Sequence, residues 1–356
     1  MLNLIRNNVL PQFGFSETES VLHSLGHGHI NYTFLVTHQS RKIVLQRINT
    51  QVFADPQAMI QNAVNISQHL LMKRQQQQYS LQVVSPIATI SGALFVDLGE
   101  QGFWRAMDYL PHSETIEVVE TPEQAMKAAQ AFGHFAAALS DINAKNIIDV
   151  IPNFLNLPQR IAQLHHAMIN DVQGRLRHCQ KWVDLCLTQT NLLAQLSQYE
   201  TELPIRICHN DTKINNMLFD KRDESSLAII DLDTCMQGYL MYDFGDMVRA
   251  FCSPEPEDST HLDNVYARPE IIIAAAQAYI RSLAGIITPL EKRSLWLGIK
   301  VMALMLGVRF LTDYLNGDVY FATSHDTHNV ERAINQLTIY QSLLMQEEQL
   351  SSLFNA

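Results

Sequence analysis

His209-Asn210-Asp211-Thr212-Lys213-Ile214-Asn215-Asn216 follows the apolar run Ile205 to Cys208. Fifteen residues after Asn216, a second apolar run, Leu227 to Ile230, ends in Asp231-Leu232-Asp233. Both runs have strand length, and each delivers a burst of polar side chains at its end, where binding and catalytic groups concentrate. The first cluster has the pattern H-x-D-x-x-x-x-N. Its pairing with a carboxylate at the end of the next strand is much more specific than either half. The bland alternative is a polar hairpin of solvated turns.

Working outward from this pair, the upstream chain reads as strands around one helix. Val21 to Leu25 and Tyr32 to Thr37 flank the glycine-containing turn Gly26 to Asn31, and Ile43 to Ile48 forms a third strand. Asp55 and Pro56 look like an N-cap and first helical residue, with Met59, Ala63, Ile66 and Leu70 following at helical spacing. Lys73 to Ser80 reads as a polar surface loop leading to strands Leu81 to Val84, Gly92 to Asp97 and Phe103 to Tyr109.

After Leu110-Pro111 the character becomes helical. Thr121 to Gln124 reads as a capping box, and helical patterns follow at about 159–172, 179–200, 268–284, 289–315 and 327–350. At 356 residues the chain has room for two domains. The expected class is α+β: a small β-rich N-terminal lobe over residues 1–110 and a larger, mainly helical C-terminal lobe over 111–356.

Composition narrows the partners. Apolar residues make up 47% and charged residues 17%, which excludes disorder. Lys and Arg number 25 against 36 Asp and Glu, a net charge of −11, so neither a nucleic acid nor an anionic membrane is expected as partner. Five scattered cysteines without a C-x-x-C pair suggest neither a disulfide framework nor a zinc site, and fit a reducing cytoplasm. MLNLIRNNVLPQFGF lacks the features of a signal peptide. Leu295 to Leu311 contains Lys300 and Arg309 and reads as a buried helix rather than a membrane span. Oligomeric state is not legible.

Phosphoryl transfer needs a carboxylate near the acceptor hydroxyl, to orient it and take its proton, and hard oxygen ligands for magnesium. Asp211 suits the first task. Asn216 and Asp231 suit the second. His209, grouped with Asp211 in the catalytic segment, is expected to hold the loop rather than transfer protons. Asp233 shares a strand face with Asp231 and is open to three roles: metal ligand, substrate contact or orienter of Asp211.

This loop and the following Asp resemble those of the small-molecule kinases related to aminoglycoside phosphotransferases and choline kinase. The resemblance covers nearly the whole chain. GHGHINYTF, VLQRIN, FWRAMDYL, HNDTKINN, IIDLDTCMQG, YDFGDMVR and GVRFLTDYLNGDVYF are most similar to the N-acetylhexosamine kinases within that group. It implies a protein-kinase-like two-lobed fold, with ATP and Mg2+ as cofactors. The γ-phosphate would pass to the anomeric hydroxyl of a free sugar, an N-acetylhexosamine such as GlcNAc or GalNAc. Gly26, Gly28 and Asn31 would lie in the phosphate loop, Gln46 or Arg47 in the place of the kinase lysine, and Asp108 at the hinge. Arg309 and Tyr320 fall in the sugar-recognition region, where Arg forks onto oxygens and Tyr hydrogen-bonds or stacks.

The chain departs from that pattern in three places. No lysine stands on the third strand, and strand alternation sends only one of Gln46 and Arg47 towards the cleft. The helix from Pro56 has no Glu to pair with such a lysine. Leu155 and Asn156 stand where a His-Asp pair is expected. Asp243-Phe244-Gly245 spells a kinase metal motif but opens a helix, so Asp243 and Asp246 are expected to cap it and anchor a loop. Choline, ethanolamine, homoserine and aminoglycosides are the other acceptors to weigh, and a nucleotide-binding pseudokinase is the non-catalytic alternative.

Overall fold

The computed structural model describes residues 1–25 and 31–355. The Gly26 and Gly28 of the expected phosphate loop lie outside the described residues. The N-terminal region holds strands β1 (Val21–Ser24), β2 (Tyr32–His38), β3 (Arg41–Ile48), β4 (Gln82–Val83), β5 (Pro86–Ile87), β6 (Val96–Asp97) and β7 (Phe103–Asp108). All but β4 join one antiparallel sheet in the order β1-β2-β3-β7-β5, with β6 also on β7.

Period-two alternation gives this sheet two different faces. Phe34, Val36, Ile43, Leu45, Trp104 and Ala106 form one apolar face, covered by Ile5, Val9, Leu10 and Phe13 of the N-terminal segment. That segment runs in successive helical turns over residues 2–13 and stops at Gly14, whose φ of +74° suits a residue without Cβ. Register puts Arg47 on this apolar side, opposite Trp104, and Gln46 on the other side, between Thr33 and Arg105.

The Pro56–Gln75 helix begins as expected, with Asp55 accepting a hydrogen bond from the Ala58 amide at 2.9 Å. It runs into the segment read as loop: Lys73 lies in its last turn and pairs with Asp141 at 2.6 Å, where a cation also favours the helix dipole. The larger region holds β8 (Ser113–Glu114), β9 (Arg206–Cys208), β10 (Met217–Asp220), β11 (Ser226–Ile229) and β12 (Met236–Gly238). A four-stranded sheet runs β4-β11-β10-β8, and β12 pairs with β9.

Helices Pro122–Ala138, Leu157–Asn170, Leu240–Phe251, Pro269–Ser282, Pro289–Asn316 and His328–Met345 build the rest of the core. The expected 179–200 helix is two, Leu176–Leu187 and Thr190–Glu202. They separate at Thr188, whose hydroxyl bonds back to the Asp184 carbonyl at 3.0 Å.

One helix, Pro289–Asn316, is long and apolar enough to cross a membrane by length and composition, and 89% of its most apolar window is buried in the protein. Its capping box is complete: Thr288 Oγ1 accepts from the Glu291 amide at 3.1 Å and Glu291 Oε2 from the Thr288 amide at 2.7 Å. Glu291 also takes the Arg206 guanidinium at 2.8 and 3.0 Å, fixing the strand that feeds the polar loop. The helix crosses Leu240–Phe251 at backbone contact distance. A Cβ on Gly298 would stand 2.0 Å from the Met241 carbonyl oxygen, and one on Gly245 would stand 2.2 Å from that of Gly298.

Candidate active site

The strand ends singled out in the sequence meet in one place. Asn210 and Asp231 both adopt left-handed backbone, at φ +62° and +60°, a region that Asn and Asp enter more readily than other side chains. Such turns must be held from outside, and Asp243 does this for the first. Its Oδ2 accepts from the His209 amide at 2.9 Å and its Oδ1 from the Asn210 amide at 2.7 Å, while the Thr212 hydroxyl donates to its carbonyl at 2.6 Å. Asp243 therefore sits behind the loop, not in the cleft.

His209 lies at 0% exposure, against the edges of Phe132 and Phe135. Its Nε2 donates to the Ile230 carbonyl at 2.9 Å, and burial lowers its pKa, so it stays neutral. It pins the Asp211 loop to the Asp231 strand end. With its ring fully buried, His209 is placed to position the loop. Thr234 Oγ1 donates to the His209 carbonyl at 2.8 Å, and the Ile230 amide to the Asn216 carbonyl at 2.9 Å, completing the seam.

Asp211 keeps about a quarter of its side chain exposed, at 24%. Asn216 Nδ2 donates to its Oδ2 at 2.9 Å and to its carbonyl at 2.8 Å, and Lys213 Nζ stands 3.3 Å from its Oδ1. Burial pushes the Asp211 carboxyl up, but the Lys213 ammonium leads several groups that together carry it below the ordinary value. It is therefore ionised at neutral pH. With its amide nitrogen spent on Asp211, Asn216 keeps Oδ1 as its side-chain acceptor.

Asp231 is the opposite case. Although its side chain is open to solvent, loss of hydration among the surrounding protein atoms, then the nearby Asp233 and Asp211, push its carboxyl up to about 7. Among the described residues no hydrogen-bond donor reaches that carboxylate, so a divalent cation fits there: it would neutralise a charge the protein leaves unserved. Among the described residues no three His, Cys, Asp or Glu side chains form a ready cage. That suits magnesium, which is commonly held by one or two carboxylates and the phosphates it accompanies.

The folded-state pKa of Asp231 exceeds its unfolded value, so folding favours the protonated form. Its contribution is present below about pH 4 and is lost as pH rises through about 7. The thermal midpoint of the ligand-free protein is expected to fall between pH 5 and 8 less steeply in Asp231→Asn than in the wild type. Scanning calorimetry at a series of pH values checks this; parallel curves would refute it.

The remaining residues expected at the site are placed as follows. Asp233, open to metal or substrate, is 3% exposed and drawn instead towards the sheet. Its Oδ2 accepts from Asn31 Nδ2 at 3.0 Å, and its Oδ1 lies 2.6 Å from Arg105 Nη2. Asn31 Oδ1 in turn accepts from the Asn49 amide at 3.0 Å, so its side chain braces the two lobes rather than standing free for phosphate. Gln46 faces the cleft side, donating to Thr33 Oγ1 at 3.1 Å and accepting from Arg105 Nε at 3.0 Å. Arg47 packs on the opposite face beside Gly102, where a Cβ would stand 2.4 Å from its Nε, so it is removed from the cleft candidates. Asp108 Oδ2 accepts from the Ser85 amide at 3.1 Å, tying down the connection after β7. Sequence reasoning missed Arg105. The available signal was a lone charge in an apolar strand.

A pocket opens beside Asp211, lined also by Phe154, Leu155, Arg309 and Tyr320. Arg309 and Tyr320 meet there, with Nη2 3.4 Å from the tyrosine oxygen. The Arg309 guanidinium also lies 5.1 Å from the Phe154 ring centroid, 5.5 Å from Tyr320 and 5.3 Å from Phe321. Among the described residues it has no carboxylate partner. Asn156 caps the Leu157–Asn170 helix through the Gln159 amide at 2.9 Å, leaving the cavity wall here to Phe154 and Leu155.

The loop carrying Tyr320 is moored by one buried carboxylate. Asp313 accepts from the amides of Val319 at 2.9 Å, Tyr320 at 2.8 Å and Phe321 at 2.9 Å, and from Asn329 Nδ2 at 2.9 Å. His325 and His328 stack on each other and take carboxylate partners, Glu331 and Asp258, rather than converging on a metal site.

A sequence profile described as the phosphotransferase enzyme family matches residues 21–284. Among solved structures, a microcompartment-associated aminopropanol kinase superposes with a TM-score of 0.60 at 14% identity, covering 100% of this chain and 99% of that one. A choline kinase from Cryptosporidium parvum gives 0.58 at 14% identity, covering 99% of each. A spectinomycin phosphotransferase in complex with ADP and spectinomycin gives 0.57 at 12% identity, covering 98% of each. At these identities the likeness is one of fold.

Proposed function

This chain belongs to the phosphotransferase enzyme family and is a small-molecule phosphotransferase, and from that premise we propose that it moves the γ-phosphate of ATP to the anomeric hydroxyl of a free sugar. An N-acetylhexosamine is the acceptor we favour. Asp211 orients the hydroxyl and takes its proton; it is ionised, partly open to the cavity and fixed by Asn216. Asp231 and Asn216 Oδ1 would hold magnesium, which would supply positive charge against the transferring phosphate. An anomeric hydroxyl is more acidic than other sugar hydroxyls, which suits a base whose pKa lies below the ordinary carboxylate value.

The observation that carries the choice of acceptor is Arg309. It rests on three aromatic rings with no carboxylate to neutralise it among the described residues. The charged groups lining the cavity are Lys213, Arg249, Arg309 and Arg332 against Asp211, Asp246 and Glu257. Four cations against three carboxylates disfavour choline, ethanolamine, aminopropanol or an aminoglycoside, because the rings that could cage an ammonium already carry Arg309 and Arg332. A neutral, oxygen-rich molecule suits a guanidinium fork backed by rings.

The test is ADP release with ATP and magnesium against a panel of free sugars, choline, homoserine and aminoglycosides, with phosphorus NMR locating the new phosphate. A sugar 1-phosphate is expected; transfer to an amino alcohol would replace the sugar. Arg309→Ala is expected to raise the acceptor KM by on the order of tenfold to a hundredfold and leave the ATP KM within about twofold. Steady-state kinetics with each substrate varied check this, and an unchanged acceptor KM would remove Arg309 from recognition.

A further inference from the structure

We infer that Arg105, on β7, is the protein cation that nucleotide phosphates meet in the cleft, and that Gln46 holds its guanidinium in place. The inference deepens the phosphotransferase assignment and rests on it. Asp211, Asp231 and Asp233 gather at one end of the cleft, where the Ile230 amide donates to the Asn216 carbonyl at 2.9 Å and Thr234 to the His209 carbonyl at 2.8 Å, joining the two strand ends. A nucleoside di- or triphosphate adds more negative charge to that end, so a fixed cation is needed to hold it. The third strand offers none: Gln46 is neutral, and Arg47 packs beside Gly102 on the other face.

Arg105 stands directly opposite Gln46 across β3 and β7, on the cleft-side face, at 1% exposure. Gln46 Oε1 takes both its Nε, at 3.0 Å, and its Nη2, at 2.6 Å. That forked contact fixes the guanidinium plane and makes Gln46 a positioning residue. The pairing in front is incomplete. Asp233 meets the guanidinium through one oxygen and one nitrogen, Oδ1 and Nη2 at 2.6 Å, while its Oδ2 is served by Asn31. Nη1 donates to no described residue. A buried cation with donors to spare, aimed at the carboxylates around a metal site, is equipped to take phosphate oxygens.

Calorimetric titration of the full-length protein with adenosine, ADP and ATP, with and without magnesium, tests this. Arg105→Gln is expected to weaken ADP and ATP by about tenfold or more while adenosine, which has no phosphate, changes by less than about twofold. The double variant Arg105→Gln/Gln46→Lys returns a cation to the same face from the neighbouring strand, and is expected to recover most of the ADP affinity. Equal weakening of adenosine and ADP would reduce Arg105 to a structural brace, and unchanged ADP affinity would overturn the inference outright. Where Arg105→Gln does not fold, because Asp233 is left buried without its cation, Arg105→Gln/Asp233→Asn is compared with Asp233→Asn, and the same selective loss of ADP binding is expected. Failure of the wild-type protein to bind any nucleotide would instead sink the kinase assignment.

Discussion

Replacing Asp211 by alanine is expected to slow phosphoryl transfer by on the order of a thousandfold and to change ADP affinity by less than about threefold. The surroundings are built to survive the loss. Asn216 Nδ2 keeps its second bond, to the residue 211 carbonyl at 2.8 Å, so the metal-side amide stays in place. Lys213 loses its carboxylate but is 31% exposed, and water can solvate it. The loop itself hangs from Asp243 and His209, neither of which touches the Asp211 side chain through a hydrogen bond. Single-turnover transfer and ADP titration on the same preparation check both halves. Near wild-type turnover in the variant would remove Asp211 as the base.

The second large effect concerns stability. Gly298→Ala is expected to cost about 3 kcal/mol or more and to lower the thermal midpoint by roughly 5 to 10 °C. Its Cβ would stand 2.0 Å from the Met241 carbonyl oxygen and 2.6 Å from the carbonyl carbon. Both are backbone atoms, so no rotamer change relieves the overlap and the two helices must separate. Gly307→Ala in the same helix is the control. There the new methyl meets Leu337 Cγ and Cδ2 at 2.6 Å, side-chain rather than backbone atoms, so local repacking without separating the helices and a smaller loss are expected. Calorimetry on the two variants side by side is the check, and equal losses would show that the close helix crossing is not what matters. The helix displaced by Gly298→Ala carries Asp243, so the surviving folded fraction is also expected to transfer phosphate more slowly.

What was legible in the sequence was local. Strands β2 and β3 and the Pro56 and Pro122 helices announce themselves through period and capping residues within a few positions. The Asp211 and Asp231 clusters do so through short fixed spacings. What was not legible depends on register and on contacts across the chain. Alternation says that Gln46 and Arg47 face opposite ways, but only the pairing with Thr33 and Arg105 says which one faces the cleft. Asp233 sits two residues from Asp231 and looked like its partner, whereas its contacts are Asn31 and Arg105, 202 residues away in the first case. β10 was overlooked because four residues after a polar loop carry too little pattern. Arg105 was passed over because a lone charge in an apolar strand says nothing about whom it meets.

Asp313 has a consequence for redesign. Its carboxylate grips the Tyr320 loop through the main-chain amides of residues 319 to 321, braced by the Asn329 side chain, and its carbonyl takes the Asp318 amide at 2.8 Å, so these bonds do not depend on which side chains residues 319 to 321 carry. Residues 319 to 321 can therefore be exchanged as a cassette, proline excepted because it has no amide hydrogen, while Asp313 and Asn329 keep the loop's path. Acceptor preference in this scaffold should be retooled there first, leaving the phosphate-handling apparatus untouched.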